Sequence, residues 1–183
     1  MNILLLITMI SISGFAAKAS ELGVTETQPA CYGREYSTQH IVNTPKQTVK
    51  KMRIKVEQSP YDIENGSLFL LIEAEVITEK SEWEDAEGKT TFNMISKPYK
   101  TSMACGQLDP EKLECAIDCD GGSAKITWNL KTVGNEVLFH NNGFVLYGGC
   151  GEEDIDNSIW LDNVRGGDDV FKLYKLRSEF CQL

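Results

Sequence analysis

Histidine is the scarcest chemistry-bearing residue of this 183-residue chain, which contains only His40 and His140. The sequence also has no G-x-S-x-G motif and no C-x-x-C pair. These absences exclude the motifs of a hydrolase nucleophile elbow, a thioredoxin-like redox pair and a C-x-x-C zinc site. His40 is left as the one plausible general base, and no nucleophile can be assigned to it. The sequence therefore argues against catalysis.

Basic residues are also few, since the chain has 18 Lys and Arg against 27 Asp and Glu, which gives a net charge of −9. A chain this acidic is a poor candidate for binding nucleic acid or an anionic membrane, so we expect neither partner. Asp154, Asp156 and Ser158 have the spacing of a calcium loop, but Ile159 and Arg165 occupy the positions that an EF-hand gives to Gly and Glu. We therefore predict no metal and no cofactor.

One long apolar run is present, and it lies at the beginning of the chain. Residues 3–16 are almost all apolar or small, and Ala17-Lys18-Ala19 follows as an A-x-A cleavage pattern. Such a run is typical of a signal peptide, and no later run approaches the ~20 residues of a transmembrane helix. We expect a signal peptide over residues 1–19, a flexible segment over 20–30 and one domain over 31–183. The predicted location is periplasmic or secreted.

The six cysteines all follow this leader, at Cys31, Cys105, Cys115, Cys119, Cys150 and Cys181. An even number of cysteines in an oxidising compartment indicates three disulfides. Cys115 and Cys119 lie on a predicted strand, where they would be about 13 Å apart and could not bond to each other. Of the fifteen possible pairings we expect Cys31–Cys181, Cys105–Cys115 and Cys119–Cys150.

The apolar residues of the exported part recur with a period of two. Residues 51–57 and 68–76 alternate in this way, and Asn65-Gly66 between them predicts a hairpin. Val49 is out of step with the strand that follows it, which predicts a bulge near Lys50. A single helical turn is expected over residues 37–43, because Pro45 disfavours its continuation.

Further strands are predicted at residues 90–95, 99–105, 113–119, 126–130, 137–140, 144–147 and 170–176. The charged stretch 79–89, which carries Trp83, is interpreted as a loop. Asn141-Asn142-Gly143 is interpreted as a second hairpin turn. About eight short strands joined mainly by short turns predict an all-β fold, an antiparallel up-and-down meander closed into a barrel or flattened barrel and stapled by disulfides.

The densest group of functional-looking side chains lies just before the first long strand. Tyr36 and His40 would share one face of a helical turn, and Arg34 could offer its planar fork to a carboxylate. The structural interpretation is that this segment crosses one end of the barrel as a plug. Arg34 would then need a buried carboxylate partner, for which Asp120 is our first prediction.

The same segment carries a resemblance. The pattern R-x-Y-x-x-x-H-x-x-x-x-P-x-Q-x-V is met by Arg34, Tyr36, His40, Pro45, Gln47 and Val49. C-x-x-x-C-D-G-G is met by residues 115–122, C-G by Cys150-Gly151, and D-x-V-F-x-L by residues 168–173. In these motifs the chain resembles a family of small, exported, uncharacterised bacterial proteins. The resemblance implies an exported bacterial protein and no particular activity.

These observations favour a non-catalytic binding protein for a small ligand in the cell envelope. We expect the ligand at the barrel mouth, near Arg34, Tyr36, His40, Trp83 and Trp128. One alternative is an acidic interaction or inhibitor protein that docks a basic partner protein, and another is a hydrolase that uses His40. A hollow apolar interior would favour the first function, and a filled interior beneath an acidic surface would favour the second. A cleft that joins His40 to an acid would favour the third.

Overall fold

The structure is a computed structural model, and it describes residues 22, 24–25, 28–59, 67–84, 87–88, 90–109, 111–128, 134–146, 158–163 and 167–182. The elements in chain order are β1 Ala30–Glu35, α1 Thr38–Asn43, β2 Val49–Gln58, β3 Leu68–Glu84, β4 Thr90–Asp109, β5 Lys112–Ala116, β6 Gly122–Thr127, β7 Glu136–Leu146, β8 Ile159–Leu161, β9 Val170–Lys175 and a 3-10 helix at Ser178–Phe180. No described helix has the length and apolar character needed to span a membrane.

Eight of the strands close into an antiparallel barrel. The strands run in the order β1-β2-β3-β4-β5-β6-β7-β9, and β9 pairs back with β1. Strand β8 lies outside this ring, and among the described strands it pairs with the end of β7, at Phe144–Leu146. The predicted all-β meander is therefore confirmed, with β8 as an extra strand.

The core lies inside the ring, because alternate residues of each strand point inward. In β2 the inward residues Met52, Ile54 and Val56 are fully buried, whereas the intervening lysines and arginine are half-buried. Large side chains occupy the inward positions of the described strands, and those exposed by 1% or less include Tyr32, Phe139, Phe144, Phe171 and Met103. These side chains fill the described part of the interior.

Two of the predicted disulfides are confirmed. Cys31 bonds to Cys181, and Cys105 bonds to Cys115 across the β4–β5 pair, where the two residues lie directly opposite each other. Cys119 is also disulfide-bonded, and Cys150, its predicted partner, lies outside the described residues. The strand predicted over 113–119 is too long, since β5 ends at Ala116 and Cys119 has a positive φ of 58° in the following turn.

The interpretation of residues 79–89 as a loop is wrong for most of its length. Strand β3 continues to Glu84, and β4 begins at Thr90 and includes both of the strands predicted over 90–95 and 99–105. Residues 78–84 and 90–95 form a two-stranded extension beyond the barrel, which we call the arm. Neither of its strands shows the alternating burial that a sequence pattern can detect, although the cross-strand ladder continues through the arm.

The hairpin turn predicted at Asn141-Asn142-Gly143 is also wrong, because these residues lie inside β7. The buried side chain of Asn141 accepts from the backbone N–H of Gly143 at 2.7 Å. Its amide donates to the carbonyls of Leu161 and Asp168, at 3.2 and 3.0 Å. At this point β7 exchanges β9 for β8 as its neighbour. These tertiary contacts thus hold residues 141–143 within β7, although their sequence would favour a turn in isolation.

The first segments of the chain agree with the prediction in part. The β2–β3 register shifts between Val49 and Lys51, which confirms the predicted bulge, while Asn65-Gly66 lies outside the described residues. Leu22 and Val24 belong to the segment predicted as flexible, but they are buried in the core. The hydroxyl of Tyr32 donates to the carbonyl of Leu22 at 3.0 Å, and burial raises the pKa of Tyr32 to about 12.

Candidate functional site

The connection between β1 and β2 covers one end of the barrel. Ser37 is the N-cap of its helix α1, and the Ser37 hydroxyl accepts from the backbone N–H of His40 at 3.2 Å. Ile41 on α1 and Tyr36 before it are 1% and 6% exposed and belong to the core. We call residues 36–48 the plug, because these side chains close the barrel between β1 and β2.

Asp168, which precedes β9 and is distant from the plug in the chain, fixes the plug by hydrogen bonds. Its carboxylate accepts from the backbone N–H and the hydroxyl of Thr48 at 2.7 and 2.6 Å, and from the backbone N–H of Val49 at 3.2 Å. Burial raises the pKa of Asp168, and these three hydrogen bonds act in the opposite direction. The ammonium of Lys80 donates to the carbonyls of Pro45 and Gln47 at 3.0 and 2.7 Å, which ties the arm to the plug.

Three of the predicted site residues come together at the plug. The rings of Tyr36 and His40 stack with centroids 4.8 Å apart, and the guanidinium carbon of Arg34 lies 4.6 Å from the Tyr36 centroid. Burial raises the pKa of Tyr36, and the charge of Arg34 partly offsets this effect. Within the described residues, Arg34 forms no ion pair with Asp120 or with another carboxylate. The predicted Arg34–Asp120 pair is therefore wrong, because the rings of Tyr36 and Tyr174 hold the guanidinium instead.

The ring of His40 has its hydrogen-bond partner within the plug. Its Nε2 lies 3.0 Å from the side-chain oxygen of Gln47, and the Gln47 amide donates to the carbonyl of Val49 at 2.8 Å. Among the described residues, no group of three or more His, Cys, Asp or Glu side chains could hold a metal ion. The calcium-like residues Asp154 and Asp156 lie outside the described part of the chain. The motif that looked functional in the sequence mainly positions the plug.

The two predicted tryptophans do not share this site. Trp83 lies on the arm and is 67% exposed. Trp128 follows the end of β6, where its backbone N–H donates to the carbonyl of Glu111, and its side chain is only 5% exposed. Because β6 runs away from the plug, Trp128 lies toward the opposite end of the barrel. The five residues therefore do not line one barrel mouth.

The arm presents two different faces. Cross-strand pairing places Glu79, Ser81 and Trp83 on one face with Ile95, Asn93 and Thr91 opposite them. Trp83 and Ile95 are 67% and 46% exposed. The other face carries Lys80 opposite Met94 and Glu82 opposite Phe92. Glu79 thus shares the face of the exposed Trp83, whereas Glu82 and Glu84 are its neighbours in the chain on the other face. The Lys80 ammonium is bound to plug carbonyls.

A groove lies between the arm and the plug. It has a volume of about 340 Å³, and its apolar walls come from Ile41, Val42 and Pro45 of the plug and from Phe92 and Met94 of the arm. This groove was not predicted, because residues 79–89 were interpreted from the sequence as a loop. The strand predicted over 90–95 then had no paired strand to place Phe92 and Met94 beside the plug.

The fold and these surfaces define a closed, disulfide-stapled β-barrel that carries a protruding two-stranded arm. Comparisons with protein-family models, curated proteins and solved structures found no match to this chain. The resemblance to exported bacterial proteins therefore stays a prediction, and the functional argument rests on the geometry of the described residues.

Proposed function

We propose that the protein is an exported, non-catalytic interaction protein that docks a basic partner protein through its arm. The observation that carries this proposal is the exposure of every residue from Thr78 to Glu84, in a strand whose earlier half is embedded in the barrel. Six residues beyond the register shift at Ile77 span about 20 Å, so the arm reaches well past the barrel wall.

The composition of the arm suggests the chemistry of the partner. Tryptophan is enriched among the residues that dominate binding energy at protein interfaces, and Trp83 is 67% exposed. Glu79 lies on the same face of the arm, and Glu82 and Glu84 precede and follow Trp83 in the chain, in a protein whose net charge is −9. A surface with this charge attracts a partner that offers lysine or arginine around an apolar contact.

The packing of side chains in the described part of the interior also favours a binding surface outside it. Tyr32, Phe139 and Phe171 occupy inward positions with 1% exposure or less. A ligand enclosed within the described part of the barrel would have to displace such side chains from a packed core, which is costly. We therefore rank docking on the arm above the small-ligand function expected from the sequence.

The proposal is tested by isothermal titration with a synthetic peptide of alternating lysine and leucine. We expect saturable binding that weakens as salt increases, since the contacts involve exposed charges. Replacing Glu79, Glu82 and Glu84 together by Gln should abolish this binding, whereas replacing Glu35, Glu57 and Glu179 by Gln should leave it unchanged. Equal binding by both triple variants, or equal binding of a glutamate–leucine peptide, would refute docking on the arm.

A small apolar ligand is the second candidate, because the groove of about 340 Å³ lies within the size range of small-molecule pockets. The neutral dye Nile red is a suitable probe. Phe92→Ser should weaken dye binding because Phe92 lines the groove. Ile95→Ser is the matched control, since Ile95 is equally a part of the β4 arm but lies on its other face. Undiminished dye binding by Phe92→Ser would reject this candidate.

A further inference from the structure

Strand β4 has an open edge for much of its length. Among the described residues, β5 pairs with β4 from Ala104 onward, whereas residues 90–103 pair with β3 alone. Residues 90–95 of this edge also lie beyond the barrel wall, on the arm. An unpaired strand edge presents N–H and C=O groups that can pair with another strand. The edge of β4 is therefore a candidate interaction surface.

The open edge is protected at the barrel rim and unprotected on the arm. Lys97, Pro98 and Lys100 lie in its rim part, and lysine and proline are the residues that blunt a strand edge against pairing. Residues 90–95 contain no charged residue, no proline and no glycine. An uncharged segment of this kind on an exposed edge pairs readily with other strands. The segment available for pairing is thus confined to the arm.

The alternation of main-chain groups indicates which arm residues point to the open edge. Cys105 and Cys115 lie directly opposite each other with Cα atoms 4.0 Å apart, closer to the ~4.5 Å of a non-hydrogen-bonded antiparallel pair than to the ~5.5 Å of a hydrogen-bonded one. The N–H and C=O groups of Cys105 therefore point to β3, and Pro98, at the opposite parity, has its nitrogen on the open side, as a strand proline requires. The register shift between barrel and arm adds its extra residue to β3, so the alternation continues unbroken along β4. The arm residues whose main-chain groups point to the open edge are then Thr90, Phe92 and Met94.

Near its base, the other edge of the arm, on β3, lies against the plug. The backbone N–H of Ile77 donates to the carbonyl of Thr48 at 2.8 Å. The ammonium of Lys80 donates to two further plug carbonyls. The plug therefore obstructs pairing along the β3 edge, and the β4 edge is the accessible one. One accessible edge in each copy favours a closed pair over an open-ended array.

The charges of the arm are distributed so that one copy complements another. Glu84 and Glu87 lie at the tip of the arm, and Lys97 and Lys100 lie at its base; all four residues are exposed. When two β4 edges run antiparallel, the acidic tip of each copy lies beside the basic base of the other. A parallel alignment would instead bring like charges together. Charge complementarity therefore favours a second copy of this chain, in the antiparallel direction, as the occupant of the edge.

We propose that the protein forms a two-fold symmetric dimer in which the β4 edges of two arms pair antiparallel. Phe92 of one copy lies opposite Phe92 of the other, and Thr90 lies opposite Met94. This register uses the outward main-chain groups of the arm and ends before the protected rim. It also brings Lys97 of each copy next to Glu87 of the other. The two arms then form one four-stranded sheet between two barrels.

The dimer uses the edge of the arm and leaves its faces free. Trp83 lies on β3, on the exposed face that also carries Ile95, so it takes no part in the pairing of the β4 edges. Trp83→Ala, which should weaken binding of the lysine–leucine peptide, should therefore leave the dimer unchanged. Dimerisation and docking of a basic partner can fail separately.

Sedimentation equilibrium over a series of protein concentrations tests the dimer. We expect a reversible equilibrium between monomer and dimer. Phe92→Lys places two like charges directly opposite each other and should weaken dimerisation at least about tenfold. Ser81→Lys is the matched control, because it adds the same charge to β3, opposite Asn93 and away from the proposed edge. It should keep the dissociation constant of the unmodified protein.

Three results would overturn the proposal. They are a protein that stays monomeric up to about 1 mM, association into species without a defined dimer, and equal weakening by Phe92→Lys and Ser81→Lys. Each variant is first checked for an unchanged unfolding midpoint. Thr90→Pro provides the same decision if Phe92→Lys does not fold, because it removes one outward N–H at the first residue of β4, where a strand tolerates proline.

An exchange of charges tests the antiparallel direction. Lys97→Glu and Glu87→Lys each bring like charges together at both ends of the paired edges, so each variant alone should associate more weakly than the unmodified protein. An equimolar mixture of the two variants restores opposite charges at both ends and should recover the dimer as a mixed pair. A mixture that associates no more strongly than either variant alone would contradict the proposal.

Discussion

Strands β3 and β4 pass through two settings in one molecule, the barrel wall and the arm. From Leu68 to Val76, β3 alternates between buried and half-buried side chains, whereas all of its residues from Thr78 to Glu84 are exposed. The backbone ladder between β3 and β4 continues through both parts, apart from the register shift after Ile77. The comparison separates two sources of order: the wall is held by burial, and the arm is held by its ladder and by its attachment to the plug.

This difference has a functional meaning. Two-stranded ribbons without a buried face are only marginally stable on their own, so the arm contributes little to folding. An element with so small a structural role that nevertheless exposes Trp83 and three glutamates is suited to contact a partner. The predictions below compare the two regions by their response to substitution.

The largest difference should come from removing one phenylalanine in each region. Phe139 is fully buried against Phe144 and Phe171, so Phe139→Ala should lower the free energy of unfolding by about 3–5 kcal/mol. Phe92→Ala on the arm should cost less than about 1 kcal/mol, because Phe92 is 37% exposed. Urea unfolding measures both values. Similar losses in the two variants would show that the arm is part of the folding core.

A smaller effect is expected where the plug meets β9. Asp168→Ala removes the acceptor of three hydrogen bonds and leaves buried donors on Thr48 and Val49, so it should cost about 2–4 kcal/mol. Hydrogen exchange at the Thr48 and Val49 amides should also accelerate. Asp169→Ala is the matched control, since its side chain is exposed and should change stability by less than about 0.5 kcal/mol. Equal effects of the two substitutions would show that the Asp168 hydrogen bonds do not hold the plug in place.

Ionisation of Tyr32 at alkaline pH should lower the free energy of unfolding. Its pKa in the folded protein is about 12, above the usual 10, so the fold favours the protonated phenol. The stability that this provides is complete below pH 10 and is lost as the pH rises toward 12, by at most about 2.7 kcal/mol. Tyr32→Phe should remove this part of the alkaline loss in unfolding measurements. An identical pH dependence in both proteins would exclude Tyr32 as its origin.

The sequence was informative where burial imposes a pattern. The alternation in residues 51–57 and 68–76 predicted β2 and the embedded half of β3 correctly. The Cys105–Cys115 pair, expected across a hairpin, and the Cys31–Cys181 pair, expected to join the two ends, are both confirmed. The short helix before Pro45 was also predicted correctly, because the proline marks its end locally.

The sequence was uninformative where distant contacts decide the conformation. The arm has no buried face, so its charged residues looked like a loop. Asn141 is held in β7 by the carbonyls of Leu161 and Asp168, which lie 20 and 27 residues away in the chain. The wrong partner of Arg34 has the same origin, since a cation can be satisfied by Tyr36 and Tyr174 as well as by a carboxylate. The local sequence pattern does not reveal any of these contacts.

The claim that the barrel is the scaffold and the arm is the interaction surface is tested most directly by Trp83→Ala, with Trp160→Ala as the control. Trp160 is 53% exposed on β8, which pairs with β7. The account predicts that Trp83→Ala changes the free energy of unfolding by less than about 0.5 kcal/mol and weakens binding of the lysine–leucine peptide at least about tenfold. Trp160→Ala should change neither quantity by a comparable amount. Unchanged peptide binding by a folded Trp83→Ala protein would contradict the account.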